Sequence, residues 1–426
     1  MKELYRMFRM PGYEVLDIKI WKDDFKVDVF LERKEEELGK CHCCGGELGV
    51  ERGKHRVTVQ GLPIGMLKTY VHFWRHKRHC AKCKKARSEA LDFLSTETPH
   101  LTKTYAEWIG MLCEISPVSR AAEFIGQDDM TVLRLDFTRL KRLLQTYKIP
   151  PPKRISVDEV YARRFSKYKG ESRNEKFFTV VSDLNTHRVI WVSESRDKKA
   201  LDQFFTLLGE EACKAIEVAA MDQHADYAAS VKEHCANATI VWDRFHIAQK
   251  FEEAVNETRK ELHKEQAKGS ELSRLSRGKF RFMFVKKAAH RTEEEKLHID
   301  DVLKANEQFA RLEIVKERML GIFNEQTEEA AKKVFEDVGA WIWQAGFKPL
   351  MQWYNNLEAG WDTFKNYFKY KVTSALSEGL NNVIKSIKRR AFGYKNMEYF
   401  RLKIMQVCGY LNSRYVLKEN PMVTLF

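Results

Sequence analysis

The chain has 426 residues, of which 44% are hydrophobic and 12% aromatic. This composition excludes a disordered chain, and the length allows about three domains. Lys and Arg number 74 against 60 Asp and Glu, giving a net charge of +14 that favours a polyanionic partner. No apolar stretch approaches the roughly 18–20 residues of a membrane span, and the N-terminus lacks the apolar core of a signal peptide. We therefore expect a cytoplasmic protein without a membrane partner.

Two Cys-x-x-Cys pairs, Cys41 with Cys44 and Cys80 with Cys83, flank a segment rich in strand-forming residues. Each pair lets two thiolates reach one ion, and two pairs complete the tetrahedron that structural zinc requires. The sequence therefore predicts a zinc ribbon, with one structural Zn²⁺, in an N-terminal region of residues 1–95. Nearby side chains could replace one of these ligands, namely His42, Cys43, His76 or His79.

A basic segment overlaps the second cysteine pair. Residues 75–87 contain seven Lys or Arg and no acid. Such a run is either a solvated surface or a contact for nucleic-acid phosphates, and its position beside the zinc motif favours DNA. The candidate contacts are Arg75, Lys77 and Arg78.

Residues 96–149 have the apolar spacing of helices. Breaks at Ser116-Pro117 and at Gly126-Gln127-Asp128 divide the segment into three helices. The last two have the length of a helix-turn-helix, with Gly126 in the turn, and a plain helical bundle is the alternative. Pro150, Pro151 and Pro152 then end the helix and mark a domain boundary.

Strand and helix patterns alternate over residues 153–245, in the order β-β-β-α-β-α-β. This order matches a ribonuclease-H-like core, a mixed sheet with helices on both faces. Asp158 lies on the first strand and Asp222 at the end of the fourth, so we expect these carboxylates to meet where strand ends converge. The predicted strands are 155–161, 177–184, 188–193, 216–222 and 239–243, and the predicted helices are 198–211 and 226–235.

Residues 246–370 read as a charged, all-helical insertion into that core. A cluster of aromatic side chains near the end of this segment could stack on DNA bases, although such clusters more often form a core. They are Trp341, Trp343, Phe347, Trp353, Tyr354, Trp361, Phe364, Tyr367 and Phe368.

The final segment, residues 371–426, is predicted to return to the core through a basic helix that Ser374 or Ser377 can cap. Helical spacing places Glu378 on one face with Asn381 or Asn382 and with the cations that follow. One acid ahead of amide and cationic donors is typical of a metal ligand followed by phosphate contacts. The candidate DNA contacts are Lys385, Lys388, Arg389 and Arg390.

Together, Asp158, Asp222 and Glu378 are three carboxylates on separate elements. Two divalent ions that activate phosphoryl transfer need oxygen ligands converging in this way. The sequence therefore predicts a nuclease-type site with two Mg²⁺ or Mn²⁺ ions. Glu159 cannot replace Asp158, because adjacent strand residues point to opposite faces of a sheet.

At these residues the chain resembles the bacterial insertion-sequence DDE transposases of the ISL-three family, in stretches that occur in the family's order from Cys41 to Met405. The most specific of them is the last. The stretches are HRVTVQGLPIG between the cysteine pairs, SVDEVYARR, AAMDQHADY, VWDRFHIAQK and ALSEGLNNVIKSIKRRAFGYKNMEYFRLKI.

The resemblance implies a nuclease and strand transferase that recognises the terminal inverted repeats of its element and a target DNA, as a homodimer associated with the nucleoid. It also implies that Asp158, Asp222 and Glu378 form the Mg²⁺-binding triad. A C/D-x-x-H signature of related transposases matches Asp243 to His246 and places His246 near the scissile phosphate; the alternative is a core histidine. Two other functions stay open: a DNA-binding regulator derived from a transposase without catalysis, and a two-metal nuclease that does not transpose.

Overall fold

The structure, a computed structural model, describes residues 10–34, 40–162, 176–266, 270–276, 278–372 and 375–413. It divides into two compact units, which we call the terminal unit (Met1–Lys148 with Ser386–Phe426) and the central unit (Ile149–Lys385). The finer division into five segments stays a prediction. None of the described helices is both long and apolar enough to cross a membrane.

A five-stranded sheet forms the first part of the terminal unit, in the order β1-β2-β4-β3, with β5 paired to β4. The β3 and β4 strands are long and antiparallel, and they connect the two cysteine pairs. Alternating apolar residues explain the sheet, since one face buries Val29, Val59 and Val71. The strands are β1 (Tyr13–Trp21), β2 (Lys26–Arg33), β3 (Leu48–Ile64), β4 (Leu67–Cys80) and β5 (Lys85–Ser88).

The three helices predicted after the cysteine pairs are confirmed. Thr102 and Asp128 cap the first and third helices by accepting from backbone N–H groups. Gly126 ends the second helix in the left-handed conformation, with φ of 67°, as its place in the predicted turn requires. The helices are α1 (Lys103–Ile115), α2 (Val118–Ile125) and α3 (Asp129–Thr146).

The central unit contains a second five-stranded sheet, ordered β10-β9-β6-β7-β8. The pairs β10-β9 and β9-β6 are parallel, and β6-β7 and β7-β8 are antiparallel. The predicted order of these strands along the chain is confirmed, with strand ends within two residues of those expected. The strands are β6 (Arg154–Tyr161), β7 (Phe177–Asp183), β8 (Arg188–Ser193), β9 (Val218–Met221) and β10 (Thr239–Trp242).

Three helices connect these strands. The single helix predicted for residues 198–211 is divided at Gly209, whose φ of 88° is incompatible with a continuous helix. The other predicted helix is confirmed. The helices are α4 (Lys198–Leu208), α5 (Glu210–Lys214) and α6 (Ala225–His234).

The predicted helical character of residues 246–370 is also confirmed, and the described residues of this segment contain no strand. Of the nine aromatic side chains named above, seven are buried in one core, whereas Trp341 and Trp343 are exposed. The interpretation as core is therefore correct for the seven. The helices are α7 (Arg244–Lys264), α8 (Glu271–Leu275), α9 (Phe280–Val285), α10 (Glu293–Ala305), α11 (Glu307–Gly321), α12 (Glu328–Ala345), α13 (Lys348–Ala359), α14 (Trp361–Phe364) and α15 (Asn366–Tyr370).

Two helices follow, α16 (Ala375–Arg390) and α17 (Met397–Val407). The boundary between the units falls within α16, after Lys385. In the terminal unit, α17 packs on α3 through a buried polar cluster. Tyr399 donates to Oδ2 of Asp136 at 2.5 Å, and Lys403 reaches the same oxygen at 3.1 Å. Because a buried ion pair is costly to separate, this cluster holds the C-terminal helix against the three-helix segment.

Candidate active site and metal centre

Three aspartates occupy corresponding positions on three adjacent parallel strands. Met221, the last residue of β9, pairs with the residue before Asp158 on β6 and with the residue before Asp243 on β10. Asp222 itself follows Met221 directly. The register therefore places Asp158, Asp222 and Asp243 side by side at the carboxyl edge of the sheet, where open α/β sheets bind ligands.

One cleft is lined by Asp158, Asp222, Asp243 and His246. Within it, Oδ1 of Asp222 is buried and accepts no hydrogen bond from the described residues. A buried carboxylate oxygen without a donor is costly, and a hard divalent cation would satisfy it. The oxygen-rich donor set of Asp158 and Asp222 thus fits Mg²⁺ or Mn²⁺.

Asp158 is held by two donors. The backbone N–H of Glu159 donates to its Oδ1 at 2.7 Å, and the side-chain amide of Asn381 donates to its Oδ2 at 2.8 Å. Burial raises the pKa of Asp158, although these two bonds and the nearby His246 favour its ionised form. A cation in the cleft would act in the same direction as the bonds, because it also favours the carboxylate.

His246 lies in the first turn of α7, three residues after Asp243. Asp243 begins this helix by accepting from the N–H of Phe245, and its Oδ2 contacts Nδ1 of His246 at 3.1 Å. The bond to Asp243 raises the pKa of His246, and the negative charges of Asp158 and Asp222 add to this effect. The engaged Nδ1 leaves Nε2 as the ring nitrogen available to a ligand in the cleft.

Glu378 is exposed on α16, one helical turn before Asn381. The helix face predicted to carry it therefore does contact Asp158, through Asn381 rather than Asn382. The Glu378 carboxylate itself is not among the described residues that line the cleft. Over the described part of the chain, Glu378, Asp158 and Asp222 do not form a group whose ligand oxygens all lie within 4.8 Å of one another. Ser374 and the side chain of Ser377, predicted as caps, lie outside the described residues.

The four predicted zinc ligands converge in the terminal unit. The Sγ atoms of Cys41, Cys44, Cys80 and Cys83 all lie within 4.8 Å of one another, with separations of 3.4 Å, 3.6 Å and 3.9 Å among them. A tetrahedron with Zn–S bonds of about 2.3 Å has edges of about 3.8 Å. The cysteine cluster therefore fits one Zn²⁺ without rearrangement.

The alternative ligands are engaged elsewhere or exposed. Nδ1 of His42 contacts the carbonyl oxygen of Ser88 at 3.0 Å, and Nδ1 of His76 contacts Oε2 of Glu51 at 2.9 Å. Cys43 and His79 are exposed, and among the described residues neither belongs to the cysteine cluster. This geometry favours the four-cysteine set.

The cations predicted to contact DNA differ in exposure. On α16, Lys385, Arg389 and Arg390 are exposed, whereas Lys388 is half-buried, and burial lowers its pKa. Exposed guanidinium and ammonium groups are free to reach phosphates without desolvating first. DNA contact by all four stays a prediction, with Lys385, Arg389 and Arg390 the most accessible.

In the N-terminal basic segment, two of the three candidates make internal contacts. Arg75 donates to the carbonyl oxygen of Glu89 at 2.7 Å, and Arg78 donates to Oε2 of Glu51 at 3.3 Å. Burial also lowers the pKa of Arg75. Lys77, between them, is exposed. DNA contact by all three remains a prediction, with Lys77 the most accessible.

The sequence alone did not single out two residues of the candidate site, Asp243 and Asn381. Asp243 directly follows a short strand run, as Asp222 does, so the repeated strand-Asp pattern could have identified it. Asn381 could not be separated from Asn382 by spacing, since both lie near the same helix face. Only the fold shows which amide reaches Asp158.

Comparison with known sequences identifies the class of protein to which this chain belongs. Its features are the mixed sheets, the carboxylate-lined cleft and the four-cysteine cluster. A family model described as "Transposase", for DDE transposases of the ISL3 type, matches residues 155–404. Because the match covers more than half of the chain, the protein belongs to the ISL3 family of DDE transposases, as its resemblance predicted.

Individual relatives agree with this assignment. The chain is 25% identical over 399 residues to the transposase for insertion sequence element IS1001 of Bordetella parapertussis, an alignment that covers 92% of this chain and 94% of the relative. It is 23% identical over 266 residues to the transposase for insertion sequence element IS1557 of two Mycobacterium tuberculosis strains, covering 57% of each chain.

Proposed function

We propose that this protein is a transposase that binds the terminal inverted repeats of an insertion sequence and performs metal-dependent cleavage and strand transfer of DNA. The observation that carries this proposal is the cleft in which Asp158 and Asp222 lie side by side next to His246. Membership of a transposase family supports DNA as the substrate. The buried, unsatisfied oxygen of Asp222 supports a cation there.

We assign the central sheet to the ribonuclease-H-like class. Three antiparallel strands followed by two parallel strands, in the order β10-β9-β6-β7-β8, support this assignment. The helical segment of the central unit is then the insertion that precedes the third acid. We likewise assign the cysteine cluster to a zinc ribbon and the α2–α3 pair to a helix-turn-helix, both of which would recognise the element ends, with two copies of the chain on DNA.

The proposed metal ligands are Asp158, Asp222 and Glu378. Divalent cations there would supply Lewis acidity to the attacking and leaving oxygens of the phosphodiester. Asp158 would be oriented for this role by Asn381 and by the N–H of Glu159. Glu378 would complete the ligand set from α16 when DNA and metal are bound, since its helix already contacts Asp158 one turn later.

His246 would contact the scissile phosphate through Nε2. Its raised pKa increases the protonated fraction of the ring, and a cation at that position would offset charge that develops on the phosphate oxygens. Asp243 would hold the ring in this orientation through Nδ1. Lys385, Arg389 and Arg390 would contact phosphates of the DNA backbone.

The second candidate function is a DNA-binding regulator derived from a transposase without catalysis. One observation favours it: the carboxylate of Glu378 does not form a cluster with the two aspartates over the described residues. A regulator would bind terminal-repeat DNA and leave it intact. A nuclease that does not transpose would cut the ends without joining them.

Strand cleavage and joining separate these functions. The substrate is a labelled duplex of the DNA that flanks the gene, with Mg²⁺ or Mn²⁺, and a gel shift in the same buffer measures binding. We expect cleavage and joining by the wild type. Asp158→Asn, Asp222→Asn and Glu378→Gln should each lose several orders of magnitude in rate, because each removes a metal ligand, while binding should persist or tighten as a charge near phosphate disappears.

Glu159→Gln is the matched control, since Glu159 bonds Arg196 at 3.0 Å and is not among the residues that line the cleft. Its cleavage rate should stay within a few-fold of wild type. Full cleavage by Glu378→Gln would exclude it as the third ligand. Binding without cleavage by the wild type would favour the regulator.

A further inference from the structure

The turn after α16 has an unusual residue at its tip. The N–H of Phe392 donates to the carbonyl of Arg389 at 3.0 Å, and the N–H of Gly393 donates to the carbonyl of Lys388 at 2.9 Å. These two bonds form a Schellman motif, which normally requires glycine at the left-handed position. That position is occupied by Phe392, with φ of 52°, although Gly393 follows immediately.

The left-handed conformation of Phe392 does not bury its side chain. A left-handed backbone crowds Cβ against the next carbonyl in every residue except glycine. The side chain of Phe392 is nevertheless fully exposed, at 102% of its reference area, the largest value among the exposed large hydrophobic side chains that the structure describes. Strain without an internal contact points to a role outside the chain.

The surroundings of Phe392 are cationic. Arg389 and Arg390 precede it, Lys395 follows it, and all three are exposed. No acidic residue occurs between Glu378 and Glu398. A rigid turn that presents an apolar ring among cations complements a polyanion with flat apolar surfaces in its interior. Duplex DNA has this character, because its phosphates enclose stacked bases.

We propose that Phe392 is a wedge that inserts between stacked bases of the bound DNA, while Arg389 and Arg390 hold the flanking phosphates. The inference rests on the proposed function, since it requires that the protein bind duplex DNA. Insertion of an apolar side chain unstacks one base step and kinks the duplex. The wedge would thereby distort the DNA locally.

The sequence offers a matched control. Phe25, in the turn between β1 and β2, is also exposed, at 62%, and also has a left-handed backbone, with φ of 48°. Its neighbours Asp23 and Asp24 are acidic, so it does not suit DNA. Asn adopts the left-handed conformation more readily than Phe, and Phe392→Asn and Phe25→Asn therefore relieve the same strain.

The experiment uses the full chain and a duplex of the DNA that flanks the gene, with Ca²⁺ replacing Mg²⁺ to prevent cleavage. Permanganate and diethyl pyrocarbonate report unstacked thymines and purines on both strands. We expect wild type and Phe392→Trp to produce a reactive base step. Phe392→Asn should abolish it and weaken binding roughly tenfold, with a Tm equal to wild type or slightly higher. Phe25→Asn should leave the reactive step and the affinity unchanged.

Four results would overturn the inference. A reactive step that persists in Phe392→Asn would exclude the wedge, as would a bound wild-type complex without any reactive base, and in both cases the proposed function would stand. A lowered Tm of Phe392→Asn would show that the ring has a structural role. A wild type that does not bind the flanking duplex at all would remove the proposed function together with the wedge.

Discussion

The side-chain amide of Asn381 donates a 2.8 Å hydrogen bond to Oδ2 of Asp158, a residue 223 positions earlier in the chain. The bond connects α16, which carries Glu378, to the first strand of the central sheet. It therefore fixes the orientation of Asp158, which is a proposed metal ligand. It also fixes how far α16, which carries the proposed ligand Glu378, lies from this strand. Partners of this kind orient metal ligands, and their loss typically costs ten- to a hundred-fold in activity or metal affinity.

The first prediction concerns this bond. Asn381→Ala should lower the cleavage rate about 10- to 100-fold without weakening the binding of terminal-repeat DNA, because the Asp158 carboxylate loses one of its two donors but all three acids remain. Asn382→Ala is the matched control, since Asn382 is the exposed neighbour on the same helix. Equal cleavage rates for the two variants would exclude a positioning role for Asn381.

The second prediction concerns the burial of Asp158. Burial raises the pKa of Asp158 above the value that it has in the unfolded chain. The ionised form therefore lowers the stability of the fold, and this loss appears as the pH rises from the unfolded pKa through the folded pKa. In EDTA, Asp158→Asn should therefore unfold at the same or a higher temperature than wild type at pH 7. Its uncharged side chain can still bond Asn381 if that amide rotates.

Bound metal should reverse the order of the unfolding temperatures, so that wild type unfolds at a higher temperature than Asp158→Asn. Mn²⁺ at 100 times its dissociation constant should stabilise the wild type by about 2.7 kcal/mol, and less at acidic pH, where protons compete for the carboxylate. Asp158→Asn should respond much less. Thermal unfolding with and without Mn²⁺ measures both effects, and an equal shift in the two proteins would place the metal away from Asp158.

The third prediction concerns Asp243 and His246. The bond to Asp243 raises the pKa of His246, so its protonated ring stabilises the fold fully below the unfolded value of about 6.5, and this contribution is lost as the pH rises through the folded value. Asp243→Asn keeps the helix cap, since Asn caps as well as Asp. We expect a lower pKa for His246 and a loss of stability that is larger at pH 5.5 than at pH 8.5.

NMR titration of the histidine ring in EDTA checks the pKa directly. Asp197→Asn is the control, because Asp197 caps α4 through the N–H of Ala200 and contacts no histidine among the described residues. It should leave the titration of His246 unchanged. An unaltered pKa in Asp243→Asn would mean that the contact does not govern the charge of His246.

How far the sequence predicted the molecule depends on how local each signal is. The Cys-x-x-Cys spacing and the strand runs are local, so the cysteine cluster and the order of the central strands were correct. The contact between Asn381 and Asp158 depends on the packing of elements far apart in the chain, so spacing alone left Asn381 and Asn382 equivalent. The residue at the left-handed position after α16 could not be predicted from sequence, since helix-ending rules favour Gly393 there and not Phe392.

The fourth prediction concerns zinc. Purified, reduced protein should contain about one zinc per chain, because four clustered thiolates repel one another without a cation. Cys80→Ser should lose the metal and loosen the N-terminal region, because binding of a structural zinc contributes about 10–16 kcal/mol, while the central unit stays folded. Cys43→Ser, which alters an exposed thiol next to the cluster, should keep its zinc. Metal analysis that finds no zinc in the wild type would remove the zinc ribbon.

The last prediction concerns Gly360, which allows Trp242 to pack at the end of β10, directly before Asp243. A Cβ atom on Gly360 would overlap the indole ring of Trp242. Gly360→Ala should therefore displace this ring or the backbone, lower stability by about 1–3 kcal/mol or more, and reduce cleavage by shifting Asp243.

Gly321→Ala is the opposite case, because a Cβ atom on this helical glycine meets nothing within 4 Å. It should stabilise α11 by about 0.5–1 kcal/mol without altering cleavage. Denaturant unfolding and the cleavage assay on both variants measure these effects, and a Gly360→Ala protein as stable and active as wild type would show that the sheet edge tolerates movement of Trp242.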